Sequence, residues 1–251
     1  TKCGCISGGD GEEEYSRAVI ERSIDRSLKR MGLECLDLVF LHTCSAEVLR
    51  AGEAADALMR ARDAGKVRYT GYSGDDADAL QAISMGVFDA IQVTFNILNQ
   101  TALDEVLPAA REAGVGILAR VPLASGLLSG KYDESTTFAE DDHRHYNRDG
   151  SAFDVGETFA GVDYETGVAA AREFTALVRE HGPEGATPAQ VALAWCAQQD
   201  GVSTVIPGAR SAEQARANAA AGELPALSPA LLDGVRALYD SRLREQVHNR
   251  W

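Results

Sequence analysis

Gly65-Lys66-Val67-Arg68-Tyr69-Thr70-Gly71-Tyr72-Ser73 reads as the passage from a helix into a strand. The residues before it, Glu53 to Ala64, carry a helical pattern. Gly65 suits the left-handed position that closes a helix, because it has no Cβ to clash there. Val67 to Tyr72 is a run of strand length, and Ser73 ends it with a polar side chain. The same punctuation recurs at Gly86-Val87-Phe88 and at Gly114-Val115-Gly116. Helix, glycine and strand therefore repeat as a unit. Such alternation implies parallel strands with helices outside, since parallel neighbours need a crossover connection.

Working outward, Leu36-Asp37-Leu38-Val39-Phe40-Leu41, Asp89 to Val93, Val115 to Val121 and Val202 to Ile206 read as further strands, and Thr1-Lys2 as the end of another. Ile20, Ile24, Leu28 and Met31 share one helical face, and Asp76 to Met85, Leu103 to Ala113, Glu165 to His181 and Pro188 to Gln199 read as helices. Thr187-Pro188-Ala189-Gln190 combines an N-cap, a first-turn proline and a capping-box glutamine; Ser211-Ala212-Glu213-Gln214 is a second box, and Ser228-Pro229 opens the last helix. A closed barrel and an open doubly wound sheet both fit the alternation. The absence of G-x-G-x-x-G after a strand weighs against the second. Ser129 to Asp163 is long and irregular, as lids and binding loops often are.

The chain has 251 residues, 45% hydrophobic and 25% charged, which suits one folded β/α barrel or two smaller domains, and we read it as a single barrel domain over residues 1–251. A formal net charge of −14 argues against attraction to nucleic acid or an anionic membrane. No apolar run approaches the roughly 20 residues of a membrane span. The five cysteines are odd in number and scattered, which argues against a disulfide framework and fits a reducing cytoplasm. Cys3-Gly4-Cys5 lacks a second paired unit, and His143 and His145 lack converging partners, so no metal is expected.

In barrels of this kind the site lies at the C-terminal ends of the strands. The polar residues there are Lys2, His42, Ser73, Gln92 with Asn96, Arg120, and then Gly208, Arg210 and Ser211. Lysine, histidine, serine, glutamine and arginine at successive strand ends make a plausible ring of site residues.

These motifs, in order and spacing, resemble the aldo-keto reductases: Thr1-Lys2; Leu36 to His42; Gly65 to Ser73; Ile91-Gln92-Val93 with Asn96; Pro122-Leu123-Ala124-Ser125-Gly126-Leu127-Leu128-Ser129-Gly130-Lys131; and Val205 to Ser211 with Gln214 and Asn218. The likeness runs from Thr1 to about Tyr239. It implies a (β/α)8 TIM barrel that binds NADPH and reduces an aldehyde or ketone by hydride transfer. The family's catalytic set is aspartate, tyrosine, lysine and histidine. Lys2 matches the lysine and His42 the histidine. The aspartate and tyrosine belong to an earlier strand end, so the resemblance implies an incomplete barrel that lacks its first two strand–helix units and is impaired as a reductase. In that set the lysine cation lowers the tyrosine pKa from about 10, and the histidine positions the carbonyl.

The resemblance also implies a cofactor site. Ser73 and Gln92 match the residues that hold the nicotinamide carboxamide, while Gly74 departs from the family's frequent asparagine. Arg120 stands where many members stack an aromatic ring on the nicotinamide; its guanidinium either stacks there or pairs with a nearby carboxylate. Leu123, through its backbone N–H, and Ser125 match the pyrophosphate contacts. Arg210, at a helix N-terminus, would grip a 2′-phosphate and favour NADP+ over NAD. Gln214 and Asn218 match adenine contacts, although Ser211 and Gln214 equally make a capping box. Thr43, Cys44, Phe95 and the loop from Phe138 to Phe159 would flank the pocket. The expected partner is a small carbonyl compound. Two other readings are a non-catalytic NADPH-binding subunit of the same fold and a barrel lyase or isomerase using Lys2 as a Schiff-base amine.

Overall fold

A computed structural model describes residues 1–5, 13–152 and 156–248. These group into two compact units: Thr1–Val93 with Glu105–Leu118, and Thr94–Asp104 with Ala119–Trp251. Among the described residues the sheet has six strands, ordered as they occur in the chain: β1 (Lys2–Cys3), β2 (Leu36–His42), β3 (Val67–Ser73), β4 (Ala90–Thr94), β5 (Gly116–Arg120) and β6 (Val202–Val205). A doubly wound sheet reverses strand order at a switch point, so this order excludes it. The fold is that of an incomplete (β/α)8 barrel.

In the first unit, β1, β2, β3 and β4 pair in parallel. The helices are α1 (Arg17–Met31), α2 (Ala46–Ala51), α3 (Glu53–Asp63), α4 (Asp76–Ser84) and α5 (Val106–Ala113). Helix α1 buries Val19, Ile20 and Ile24 and stops at Gly32, whose φ of 65° lets its N–H return to the Leu28 carbonyl. Met31, expected on the buried face, is exposed because it is the last residue of the helix. Helix α3 presents Ala54, Ala55, Ala57, Leu58 and Ala61 inward, and packs on α1 and β3. The short α2 was not foreseen; Ser45 caps it by accepting from the Val48 N–H.

Two details fix the sheet of this unit. The Asp89 carboxylate accepts from the Thr70 N–H at 2.8 Å, so the aspartate side chain replaces a ladder carbonyl and β4 begins at Ala90 rather than Asp89. Gly71 is obligatory for space: a Cβ there would lie 2.5 Å from Phe40 Cδ1 and 2.8 Å from the Ala90 carbonyl oxygen.

The second unit contains the end of β5, β6, and α6 (His143–Tyr146), α7 (Tyr164–His181), α8 (Pro188–Ala197), α9 (Ala212–Ala220), α10 (Pro229–Arg242) and α11 (Arg244–Val247). Thr187 and Gln190 form the expected reciprocal capping box at α8, with Pro188 in the first turn. Phe95 is fully buried and stacks on Trp195 of α8, ring centroids 5.2 Å apart. It is therefore a core residue and not a pocket wall. Phe138, Phe159 and Tyr164 gather the long loop around one aromatic cluster, over which Arg144 and Arg148 stand. Residues 153–155 of that loop lie outside the described residues.

Candidate functional site

Strand register in the first unit sets its polar residues in a row. His42 is level with Ser73, Ser73 with Gln92, and Lys2 with Phe40. Side chains alternate along a strand, so Phe40 and His42, Gly71 and Ser73, and Ala90 and Gln92 share one face. Ser73 and Gln92 are both buried, and the Ser73 hydroxyl donates to Gln92 Oε1 at 3.1 Å. The Gly74 N–H donates to the Gln92 carbonyl at 3.1 Å and holds the chain close behind them. A Cβ at Gly74 would overlap the Tyr72 hydroxyl, which explains glycine where the family often has asparagine. Lys2 is exposed at its strand end, and His42 is half-buried.

The chain turns sharply just past His42. Thr43 takes a φ of 56°, sparsely populated for a β-branched residue, and its N–H donates to the Ser73 carbonyl at 2.7 Å. Two phenols complete the turn: Tyr15 donates to the His42 carbonyl at 2.8 Å, and Tyr72 to the Cys44 carbonyl at 2.7 Å. Burial pushes both phenols above the ordinary tyrosine range, so they stay protonated donors well into alkaline solution. Burial likewise pushes the thiols of Cys3 and Cys44 up to about 12.

In the second unit, Arg120 ends β5 with a buried side chain and forms an ion pair with Glu157. The carboxylate pairing read for Arg120 forms here. Glu157 itself was missed, because nothing in the long loop marks one carboxylate among many. After Arg120 the backbone is contorted: Val121, Ala124 and Ser125 have φ of 54°, 47° and 54°, and Gly126 has 99°. Non-glycine residues in this region cost about 1–3 kcal/mol each and persist only where contacts impose them. Here Asn96 Nδ2 donates to the Val121 carbonyl at 3.0 Å, and the Leu123 carbonyl accepts from the Gly126 and Leu128 amides. The Ser125 hydroxyl donates to the Glu157 carbonyl and accepts from the Phe159 N–H, both at 3.1 Å. Ser125 thus ties the 157–159 segment to the 121–126 turn.

Arg210, Gln214 and Asn218 flank the start of α9. Ser211 accepts from the Gln214 N–H at 3.1 Å, the capping half of the expected box. The return arm differs: Gln214 Oε1 takes the Arg210 N–H at 2.7 Å rather than that of Ser211. Asn218 Nδ2 donates to the Gly208 carbonyl at 3.0 Å. Both amides therefore brace the 208–211 turn, and the Arg210 side chain is exposed. Elsewhere, Arg144 grips Asp142 through two nitrogens and holds that carboxyl well below the usual range.

Among the described residues, no helix is long and apolar enough to cross a membrane. The model of the aldo/keto reductase family matches residues 1–240. Among curated relatives, an NADP(+) aldo-keto reductase of Schizosaccharomyces pombe is 28% identical, over 88% of this chain and 62% of its own length. The L-glyceraldehyde 3-phosphate reductase of Escherichia coli is 31% identical, over 84% of this chain and 59% of its own. A probable voltage-gated potassium channel β subunit of Arabidopsis thaliana is 27% identical, over 93% and 71%. The chain thus spans about six tenths of the length of the first two. Among solved structures, the glycerol dehydrogenase of Gluconobacter oxydans superimposes with a TM-score of 0.74 at 25% identity, covering 96% of this chain and 72% of that one.

Proposed function

The chain belongs to the aldo/keto reductase family, and on that premise we propose that it serves the NADPH-dependent reduction of an aldehyde or ketone to an alcohol. The observation that carries this reading is the buried Ser73–Gln92 pair, level in register with His42. A carboxamide needs one acceptor and one donor, and a hydroxyl beside a primary amide offers both. The donor set therefore fits a nicotinamide, which when bound supplies the hydride. Ser73 and Gln92 would hold its carboxamide and so select the ring face turned to substrate. The contorted turn with Leu123 and Ser125 offers a pyrophosphate cradle, and the exposed Arg210 offers charge for a 2′-phosphate. Arg120, already fixed by Glu157, presents a planar guanidinium suited to stacking.

The roles of the chain's own residues follow from charge. Negative charge develops on the carbonyl oxygen as it is reduced. His42, half-buried at its strand end, would orient that oxygen and donate a hydrogen bond to it. Lys2 would place a cation beside the proton-donating phenol and favour its ionised form. Tyr15 and Tyr72 do not take the phenol's part, since both already donate to backbone carbonyls.

The test is NADPH oxidation by the full-length protein with a panel of aldehydes and ketones. His42→Ala is expected to lower kcat with little change in cofactor affinity, and Arg210→Ala to weaken NADPH binding by about tenfold and NADH binding little. Equal losses for the two dinucleotides would remove Arg210 from phosphate recognition. The likeness to a channel β subunit supports a second reading, a nicotinamide-binding subunit without turnover. Tight NADPH binding with no reduction of any carbonyl, and a stable partner in a pull-down, would favour it.

A further inference from the structure

Tyr15 is tied to two strand ends at once. Its backbone N–H donates to the Gly4 carbonyl at 3.0 Å, one residue past the end of β1. Its ring lies directly over the Gly4 Cα: a Cβ on Gly4 would sit 2.5 Å from Tyr15 Cδ1 and 2.8 Å from Cε1. Its hydroxyl donates to the carbonyl of His42, the last residue of β2. Gly4 accommodates the ring only at a φ of 102°, and Tyr15 itself sits at a φ of 61°. Glycine adopts a positive φ freely, so Tyr15 is the strained partner, held here by a hydrogen bond at each end.

The two strand ends are those that carry Lys2 and His42. From this bridge we propose that Tyr15 is a positioning residue that fixes His42 relative to Lys2. The inference rests on the catalytic reading of these two residues given above. Tyr15 touches the backbone at His42 and acts through it. The peptide plane that carries its hydrogen bond is the one leaving His42, so it restrains the backbone torsion there and with it the direction of the Cα–Cβ bond that bears the imidazole. That plane is held at both edges, its Thr43 N–H by the Ser73 carbonyl and its His42 carbonyl by Tyr15, while Tyr72 holds the Cys44 carbonyl beyond it.

Tyr15→Phe removes one oxygen and keeps the ring on Gly4. The His42 ring resonances are followed by NMR through a pH titration in wild type and variant, alongside turnover and thermal unfolding. The expected result is a displaced His42 signal with an altered titration midpoint, and a kcat lowered roughly three- to tenfold at unchanged KM for NADPH. Gly4→Ala, which must displace the ring without altering Tyr15, is expected to give the same His42 signature. A lowered melting temperature with His42 signals and kcat unchanged would overturn the inference, because a purely structural tyrosine would behave so. A displaced His42 signal in a protein without carbonyl turnover would support the bridge and refute the reductase reading instead.

Discussion

Replacing Gly71 by alanine tests whether the row of side chains at the strand ends is rigid. The new Cβ would stand 2.5 and 2.6 Å from Phe40 Cδ1 and Cε1, and 2.8 Å from the Ala90 carbonyl oxygen. Carbon atoms in contact prefer about 3.5–4.0 Å, so the ring must yield by about 1 Å. Phe40 is only 6% exposed and cannot swing into solvent. The Ala90 oxygen belongs to the strand paired with Gly71 and moves only if β3 and β4 part. Overpacking of this kind costs about 1–3 kcal/mol, and a clash with backbone places it at the upper end. Alanine recovers about 0.5–1 kcal/mol through a less flexible unfolded chain. The net loss is about 2 kcal/mol, a fall of about 4–8 °C in Tm for a chain of this size. Circular dichroism melting measures it directly. Gly86→Ala is the control, since nothing lies within 4 Å of a Cβ there and only its φ of 65° opposes alanine, at about 1 kcal/mol. Phe40 shares its face with His42, so kcat should fall together with Tm. A Gly71→Ala protein melting within 1 °C or so of wild type, below the roughly 2 °C that one kcal/mol produces, would refute the reasoning.

Glu157→Gln leaves the Arg120 cation buried beside a neutral amide, and is expected to cost about 1–3 kcal/mol in urea unfolding; an unchanged midpoint would mean that the pair contributes no net stability. Alkaline solution should destabilise the fold. Cys3 and Cys44 are pushed up to about 12 in the folded chain, whereas thiols of the unfolded chain ionise near 8.5. The folded state therefore binds more protons through this window, so its stability is full below about pH 8.5 and declines as pH rises toward 12. Tyr15 and Tyr72, also held protonated by burial, add to the decline above about pH 10. Urea midpoints that stay level from pH 7.5 to 10.5 would contradict this assignment.

Much of the architecture was legible in local sequence, because local rules govern it. Glycine at Gly65 and Gly114 ends helices through its access to left-handed backbone, and both take positive φ here. The box at Thr187–Gln190 forms as read because its partners lie three residues apart on one turn. Strand ends moved by a residue where a side chain entered the ladder, as Asp89 did opposite Thr70, and no periodicity shows such a substitution. Ser73 and Gln92 could be named from their places at strand ends. Their hydrogen bond depends on a register of parallel strands that the sequence does not write down.

The residues that hold the site from outside lay beyond that reach. Glu157 meets Arg120 across 37 positions, and Tyr15 meets His42 across 27. Neither carries a local mark, because an ion pair or a phenol–carbonyl bond needs only that two groups arrive together. The sequence by itself determined the alternation of strand and helix, the polar residue at each strand end and the family. The first two follow from backbone conformation, residue volume and short-range capping, and the family from the resemblance of motifs in order along the chain. The tertiary structure alone decided which side chains those residues meet. It turned Arg120 to Glu157, folded Phe95 into the core against Trp195, and set one tyrosine across the ends of the two strands that carry Lys2 and His42.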